Sequence, residues 1–238
     1  MSLENHRVVI VGGTSGIGLA VAKAFLNRGA EVIVASRSEE KIQAAKTELG
    51  ERASGHILDF RNEQNVKAFF ETVGEFDDLV VTAGDGVMGP FESLPVDEAK
   101  SAFDSKFWGQ YVTVKAALPH VKKSGSITLT SGVYGQRPPQ GASALAAINS
   151  AVEGLARGLA VDAAPIRVNV VSPGLVDTPI YSGMEQTARE GMFDAVAQSL
   201  LLKHVAKPEE IAEAYVYLAE NTFTTGSTMQ IEGGALLS

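Results

Sequence analysis

The run Val8-Val9-Ile10-Val11, followed at once by Gly12-Gly13-Thr14-Ser15-Gly16-Ile17-Gly18, constrains the fold of this chain more than any other feature. The β-branched residues read as a buried strand, and the amphipathic stretch Leu19 to Arg28 reads as a helix. Between them Gly12, Gly16 and Gly18, spaced G-x-x-x-G-x-G, each answer a physical need. Gly12 lets the chain reverse after the strand, Gly16 lets the backbone approach a phosphate without a Cβ, and Gly18 lets the helix pack close to the sheet. This is the arrangement that rests a dinucleotide pyrophosphate on a helix N-terminus. An ATPase loop is excluded, because Leu19 and Ala20 follow Gly18 where that loop needs a lysine and a magnesium-binding hydroxyl.

Apolar β-rich runs near Arg7 to Val11, Glu31 to Ala35, Ala53 to Leu58, Asp78 to Thr82, Gly125 to Thr130, Ile166 to Val171 and Thr228 to Ile231 alternate with helical patterns. The alternation predicts an α/β fold: a single Rossmann-type doubly wound parallel sheet of about seven strands, with helices on both faces and ligands at the carboxyl ends of the strands. At 238 residues, with no linker and no internal repeat, the chain reads as one domain, 1–238. Its least regular part, 172–198, is broken by Pro173, Gly174, Pro179 and Gly183 before a short helix, and is expected to be a substrate loop. Met1 to Leu3 read in part as a cloning remnant and stay outside the fold reasoning.

Composition removes several functions. The 45% of apolar residues argues against disorder. The absence of cysteine excludes disulfides and thiolate metal ligands and fits a reducing compartment. His6, His56, His120 and His204 lack metal-ligand spacing, so no metal site is expected. A polar start and no unbroken apolar run of about 18 residues point to a soluble, cytoplasmic protein without a membrane partner. A net charge of −8 with no Lys/Arg cluster disfavours nucleic acid.

The second strand, Val32 to Ala35, ends in Ser36-Arg37-Ser38 where an acidic residue would select NAD by bonding the ribose 2′-hydroxyl. Glu31 lies at the opposite end and cannot serve. Arg37 presents a fixed cation for the 2′-phosphate of NADP(H), with Ser36, Ser38 and Ser15 as supporting donors.

Over its whole length the chain resembles the short-chain dehydrogenase/reductase family. The resemblance is carried by Val11 to Gly18, Ala35-Ser36-Arg37, Leu58-Asp59-Phe60, Thr82-Ala83-Gly84, Gly125 to Ser131, Arg167 to Gly174 with Thr178, and Thr225-Gly226 to Gly234. It implies that Gly12, Thr14, Ser15, Gly16, Ile17 and Gly18 cradle the phosphates. It further implies that Asp59, beside Phe60, meets the adenine, that Ala83 and Gly84 line the adenosine ribose, and that Pro173, Gly174, Val176 and Thr178 hold the nicotinamide carboxamide. Val11 stands where the family has threonine and Thr82 where it has asparagine, departures that bear on local backbone bracing. A homotetramer or homodimer built on long helices around Ala99 to Val121 and Ala142 to Asp162, acting on a small molecule, is also implied.

The large departure lies at the chemistry. The family's reductases use a serine, about thirteen residues later a tyrosine followed at i+4 by a lysine, and an asparagine in the preceding long helix. Ser131 matches the serine, but Leu145 stands at the tyrosine, Asn149 at the lysine and Lys106 at the asparagine. Leucine has no proton to give and asparagine no charge, so lysine and asparagine are exchanged between the two helices. Tyr111 and Lys115 satisfy a Y-x-x-x-K search, yet they precede Ser131 on the apolar stripe of Phe103, Phe107, Val114 and Leu118, where packing is the expected role. Tyr134, three residues beyond Ser131, is a better candidate phenol; its plainer role is a loop aromatic over the substrate or a neighbouring subunit. The candidate catalytic set is therefore Ser131, Lys106, Tyr134 and Asn149, with Val87, Met88, Phe91, Tyr134, Pro138, Tyr181 and Met184 as an apolar wall. The expected activity is NADP(H)-dependent oxidoreduction of a carbonyl or imine-like compound with an atypical proton donor. The alternatives are an NADPH-binding sensor or subunit, and a non-redox enzyme that polarises a carbonyl with Ser131 or Lys106.

Overall fold

The computed structural model describes residues 3–238. Seven parallel strands stand in the order β3-β2-β1-β4-β5-β6-β7: β1 Arg7–Val11, β2 Glu31–Ser36, β3 Ala53–Ile57, β4 Phe76–Val81, β5 Val121–Thr130, β6 Arg167–Pro173 and β7 Thr228–Ile231. The order reverses between β1 and β4, and this switch point opens a crevice where the carboxyl ends of two strands diverge. β4 and β6 are buried along their whole length, polar residues such as Asp78 and Asn169 included, so neither alternates a core-facing with a solvent-facing side.

The helices are α1 Gly16–Asn27, α2 Glu39–Leu49, α3 Glu63–Val73, α4 Val96–Phe103, α5 Gly109–Ala117, α6 Ser143–Asp162, α7 Gln186–Ser199 and α8 Pro208–Glu220. Phe25 of α1 and Tyr215 of α8 pack with Ile10 and Val34 on one face of the sheet. Phe70 of α3, Val114 of α5 and Val152 of α6 pack with Val9 and Leu129 on the other. Between α4 and α5 the chain makes one π-helical turn, Asp104–Trp108, instead of continuing as a single α-helix. The long helix expected to reach Val121 ends at Ala117, because Val121 already begins β5.

β5 starts before the expected Gly125. Its register against β4 shifts between Phe76 and Asp78, and a Cβ at Gly125 would overlap the carbonyl oxygen of Asp77. The segment after β6 is more regular than expected: one 3₁₀ turn at Pro179–Tyr181 leads into a helix of 14 residues, capped by Glu185, whose carboxylate accepts from Ala188 N at 3.0 Å. α7 buries no residue, so it lacks the core-facing stripe that announces a helix in sequence. Leu3, set aside as a remnant, is part of the core at 1% exposure, beside α1 and α8. By length and composition α6 could cross a membrane, but here Ile148 is buried and Val152 and Ala156 pack in the core with Val9 and Leu129 of the sheet.

At the amino ends of the strands, away from the crevice, His6 Nδ1 meets Asp78 Oδ2 at 3.1 Å and Ser126 Oγ donates to Asp78 Oδ1 at 2.6 Å. The bond to Asp78 raises the His6 pKa above its ordinary value.

Candidate active site

A cleft of about 790 Å³ opens at the carboxyl ends of the strands. Its floor is the turn between β1 and α1. Gly12 sits at φ +94, and a Cβ there would stand 2.7 Å from Ala83 N and from Thr82 Oγ1. A Cβ at Gly18 would overlap the Gly12 carbonyl oxygen, so only glycine lets α1 start this close to the turn. Thr82 Oγ1 lies 3.3 Å from the carbonyl oxygens of both Val11 and Gly12, so its hydroxyl hydrogen braces the turn where the resemblance leads one to expect an asparagine. Ser15, the N-cap of α1, makes no side-chain cap bond, and the first turn holds no acidic residue. The opening amides of α1 are therefore available to an anion. Thr178 hangs over this turn, 3.2 Å from where a Cβ on Gly16 would be.

At the outer end, where β2 finishes, Ser36, Arg37 and Lys41 line the cleft. Lys41, in the first turn of α2, was missed in sequence because the search stopped at Ser38; its position at i+4 from Arg37 was the available signal. Two expected cofactor residues lie beside the cleft rather than on its wall. Ser38 caps α2 by accepting from Lys41 N at 3.3 Å, and the Asp59 carboxylate pairs with Arg61 at 3.4 Å. Phe60, Thr14, Ile17, Ala83, Gly84, Pro173, Gly174 and Val176 do line it.

The inner end brings together side chains from three separate segments of the chain. Lys106 projects from the π-helical turn, and its Nζ donates to the Ser131 carbonyl and to Asn149 Oδ1, both at 2.7 Å. Its stem passes Gly84, where a Cβ would stand 2.9 Å from Lys106 Cγ. Burial lowers the Lys106 pKa to about 8. Asn149 is buried on α6, one turn from Leu145, whose Cδ1 would lie 2.8 Å from a Cβ on Gly86. Ser131 Oγ donates to Glu153 Oε1 at 3.0 Å, and both residues are buried. The Ser131 proton is thus turned onto α6, while a Cβ on the next residue, Gly132, would stand 3.1 Å from Asn149 Nδ2. Glu153 escaped sequence analysis, although its i+4 spacing from Asn149 puts both on one helix face.

Two phenols, Tyr134 and Tyr181, share the wall. Burial first, and the nearness of Tyr134 second, raise the Tyr181 pKa. Tyr111 lies outside the cleft, edge-on to Trp108 at 5.4 Å, in keeping with packing. Of the expected apolar wall, Met88, Tyr134 and Tyr181 line the cleft, whereas Val87, Phe91, Pro138 and Met184 do not; Leu145 and, from α7, Met192 and Val196 take their place.

The glycine cradle, the free helix N-terminus and the outer cations together fit a phosphorylated dinucleotide. Comparison with known proteins agrees. A family model described as enoyl-(acyl carrier protein) reductase matches residues 11–235. The short-chain dehydrogenase/reductase malC of Malbranchea aurantiaca is 32% identical over 99% of this chain and 96% of its own length. L-fucose dehydrogenase of Mus musculus is 31% identical over 97% of this chain and 88% of its own. Among solved structures, a small-chain dehydrogenase in complex with NADPH is 36% identical with a TM-score of 0.84, covering 99% of this chain and 100% of that one. The MalC reductase/Diels-Alderase from Malbranchea aurantiaca is 31% identical with a TM-score of 0.92, covering 99% of this chain and 98% of that one. With the crevice at the β1/β4 switch point and likeness along the entire length, the chain belongs to the short-chain dehydrogenase/reductase family and is an oxidoreductase that binds a nicotinamide cofactor.

Proposed function

We propose that this protein is an NADP(H)-dependent reductase of a small carbonyl compound in which Lys106 replaces the family's phenol. The observation that carries the proposal is the placement of Lys106 Nζ, held at 2.7 Å by Ser131 O and Asn149 Oδ1 in the same cleft as the glycine cradle. Arg37 and Lys41 would hold the 2′-phosphate, the first amides of α1 the pyrophosphate, and Pro173 to Thr178 the carboxamide. When bound, the dihydronicotinamide supplies a hydride.

Everything else falls to the side chains. The Lys106 ammonium donates its remaining hydrogen to the carbonyl oxygen and stabilises the charge that develops there. With a pKa of about 8 it can then give up that proton near neutral pH, where general acid catalysis is most effective. Asn149 and the Ser131 carbonyl keep the ammonium aimed, and Leu145 fills the place of the missing phenol without exchanging a proton. Tyr181, whose pKa is raised, keeps its proton and serves as a hydrogen-bond donor. A second reading, non-redox use of the pocket, is supported by the likeness to a protein named both reductase and Diels-Alderase.

Outside the site, Trp108, Tyr111 and Val161 present exposed apolar surface along the α4–α5 and α6 helices, which supports a homodimer or homotetramer. The cysteine-free composition supports a cytoplasmic location.

The test is NADPH consumption across a panel of carbonyl compounds. Lys106→Gln should lower kcat by ~10²–10⁴, and Tyr134→Phe should change kcat little. Full kcat in Lys106→Gln overturns the assignment, and product formed without NADPH consumption selects the non-redox reading.

A further inference from the structure

Lys106 is a cation without an anion. Its two partners are neutral carbonyl oxygens, and among the described residues no carboxylate pairs with it. The carboxylate on the same cleft wall, Asp85, is engaged elsewhere: Ser105 Oγ donates to its Oδ2 at 3.1 Å, and its own backbone N–H donates back to that hydroxyl at 3.0 Å. An ammonium taken out of bulk water and bonded only to dipoles is incompletely stabilised, and the natural complement is a charge brought in from outside.

The neighbouring groups have the same polarity. Asn149 gives its oxygen to Lys106, so its amide nitrogen, on the Gly132 side, has hydrogens to donate. Ser131 has no hydrogen left to give, because Glu153 takes it. One N–H of Lys106 and the Asn149 amide therefore form a donor pair at the inner end, matched by the cationic pair Arg37 and Lys41 at the outer end.

We infer that the inner end of the cleft receives an anionic oxygen, so that the substrate carries a carboxylate or ionised enol beside its reacting carbon. This rests on the reading of the cleft as a reductase site and narrows its substrate class. A cationic substrate such as an iminium is disfavoured, since the ammonium would repel it.

The experiment is a calorimetric titration of the full chain, alone and with NADP⁺ present, using benzoate and benzamide, which share size and shape but differ in charge. Benzoate should bind at least about tenfold more tightly at neutral pH, a difference of about 1.4 kcal/mol. Lys106→Met should erase the preference and Lys106→Arg should retain it. In the unmodified protein the benzoate affinity should fall as pH rises through about 8, where Lys106 loses its charge. The other titratable groups facing this end are Asp85, Glu153, Tyr134 and Tyr181, and burial raises the Tyr181 pKa further from that pH. If Lys106→Met does not fold, this pH profile decides. Equal affinity for the two probes, or a benzoate affinity flat through pH 8, overturns the proposal. The reductase reading fails separately, by absence of NADPH binding or by full kcat in Lys106→Gln.

Discussion

Lys106 is the residue at which stability and function pull apart. Burial has brought its pKa from 10.5 down to about 8, so the folded chain disfavours the charged amine on which the proposed proton donation rests. Between those two values the unfolded chain holds a proton that the folded chain does not. This group therefore raises folding stability as pH increases from about 8 to 10.5, and below 8 its full penalty is present. Lys106→Met keeps the stem and removes the charge. The shift corresponds to about 3 kcal/mol, reduced by two lost hydrogen bonds of about 1 kcal/mol each, so a net gain of about 1 kcal/mol in denaturant unfolding at neutral pH is expected. A Met variant clearly less stable than its parent would show that the ammonium is better solvated in the cleft than its burial implies. That Lys106 and Asn149 face each other was suggested in sequence by position along the two helices, and the bond between them is present. The direction of the Ser131 hydroxyl was not legible, because the residue that takes its proton, Glu153, lies 22 positions away on another element.

At the scale of elements, α6 and the π-helical turn between α4 and α5 meet at the Lys106–Asn149 bond, and both of its ends can be exchanged. Leu145→Tyr with Asn149→Lys puts a phenol and an ammonium one turn apart on α6, and Lys106→Asn removes the second cation that would repel the new lysine. The triple variant should gain NADPH-dependent reduction of simple ketones over its parent, and Leu145→Tyr alone should gain less. A folded, NADPH-binding triple variant with no gain on any carbonyl would count against α6 as the catalytic helix. The strands were legible because each carries a short β-branched or apolar run, Val8 to Val11 in β1, Leu79 to Val81 in β4 and Val168, Val170 and Val171 in β6, and α1 because glycines punctuate its start. α7 was only half legible: a helix that rests on a cleft rather than on a core has no stripe to announce it. Leu3 was lost for a different reason, since no local pattern distinguishes a single buried leucine from a polar leader around it.

For the whole molecule the cofactor is a folding ligand as well as a reactant. The cleft is assembled from β1, β2, β4, β5 and β6, so only the native sheet brings the cradle, Arg37 and Lys41 together. A ligand that binds the folded chain alone stabilises it by ~2.7 kcal/mol at a hundredfold excess over Kd. For a domain of this size each kcal/mol moves the thermal midpoint by roughly 2–4 °C, so saturating NADPH should raise it by roughly 5–11 °C. NADH lacks the 2′-phosphate and should shift the midpoint less at equal concentration. One charge-assisted contact is worth ~1.5–3 kcal/mol, a roughly 10- to 150-fold difference in affinity. Arg37→Asp should therefore bring the NADPH shift down to that of NADH or below it. Lys41→Ala should narrow the gap by less, because the arginine fork can grip two phosphate oxygens and a lysine acts as a point charge. Equal midpoints with NADH and NADPH in the unmodified protein would remove the 2′-phosphate site from the outer end of the cleft and leave Arg37 and Lys41 as ordinary surface cations.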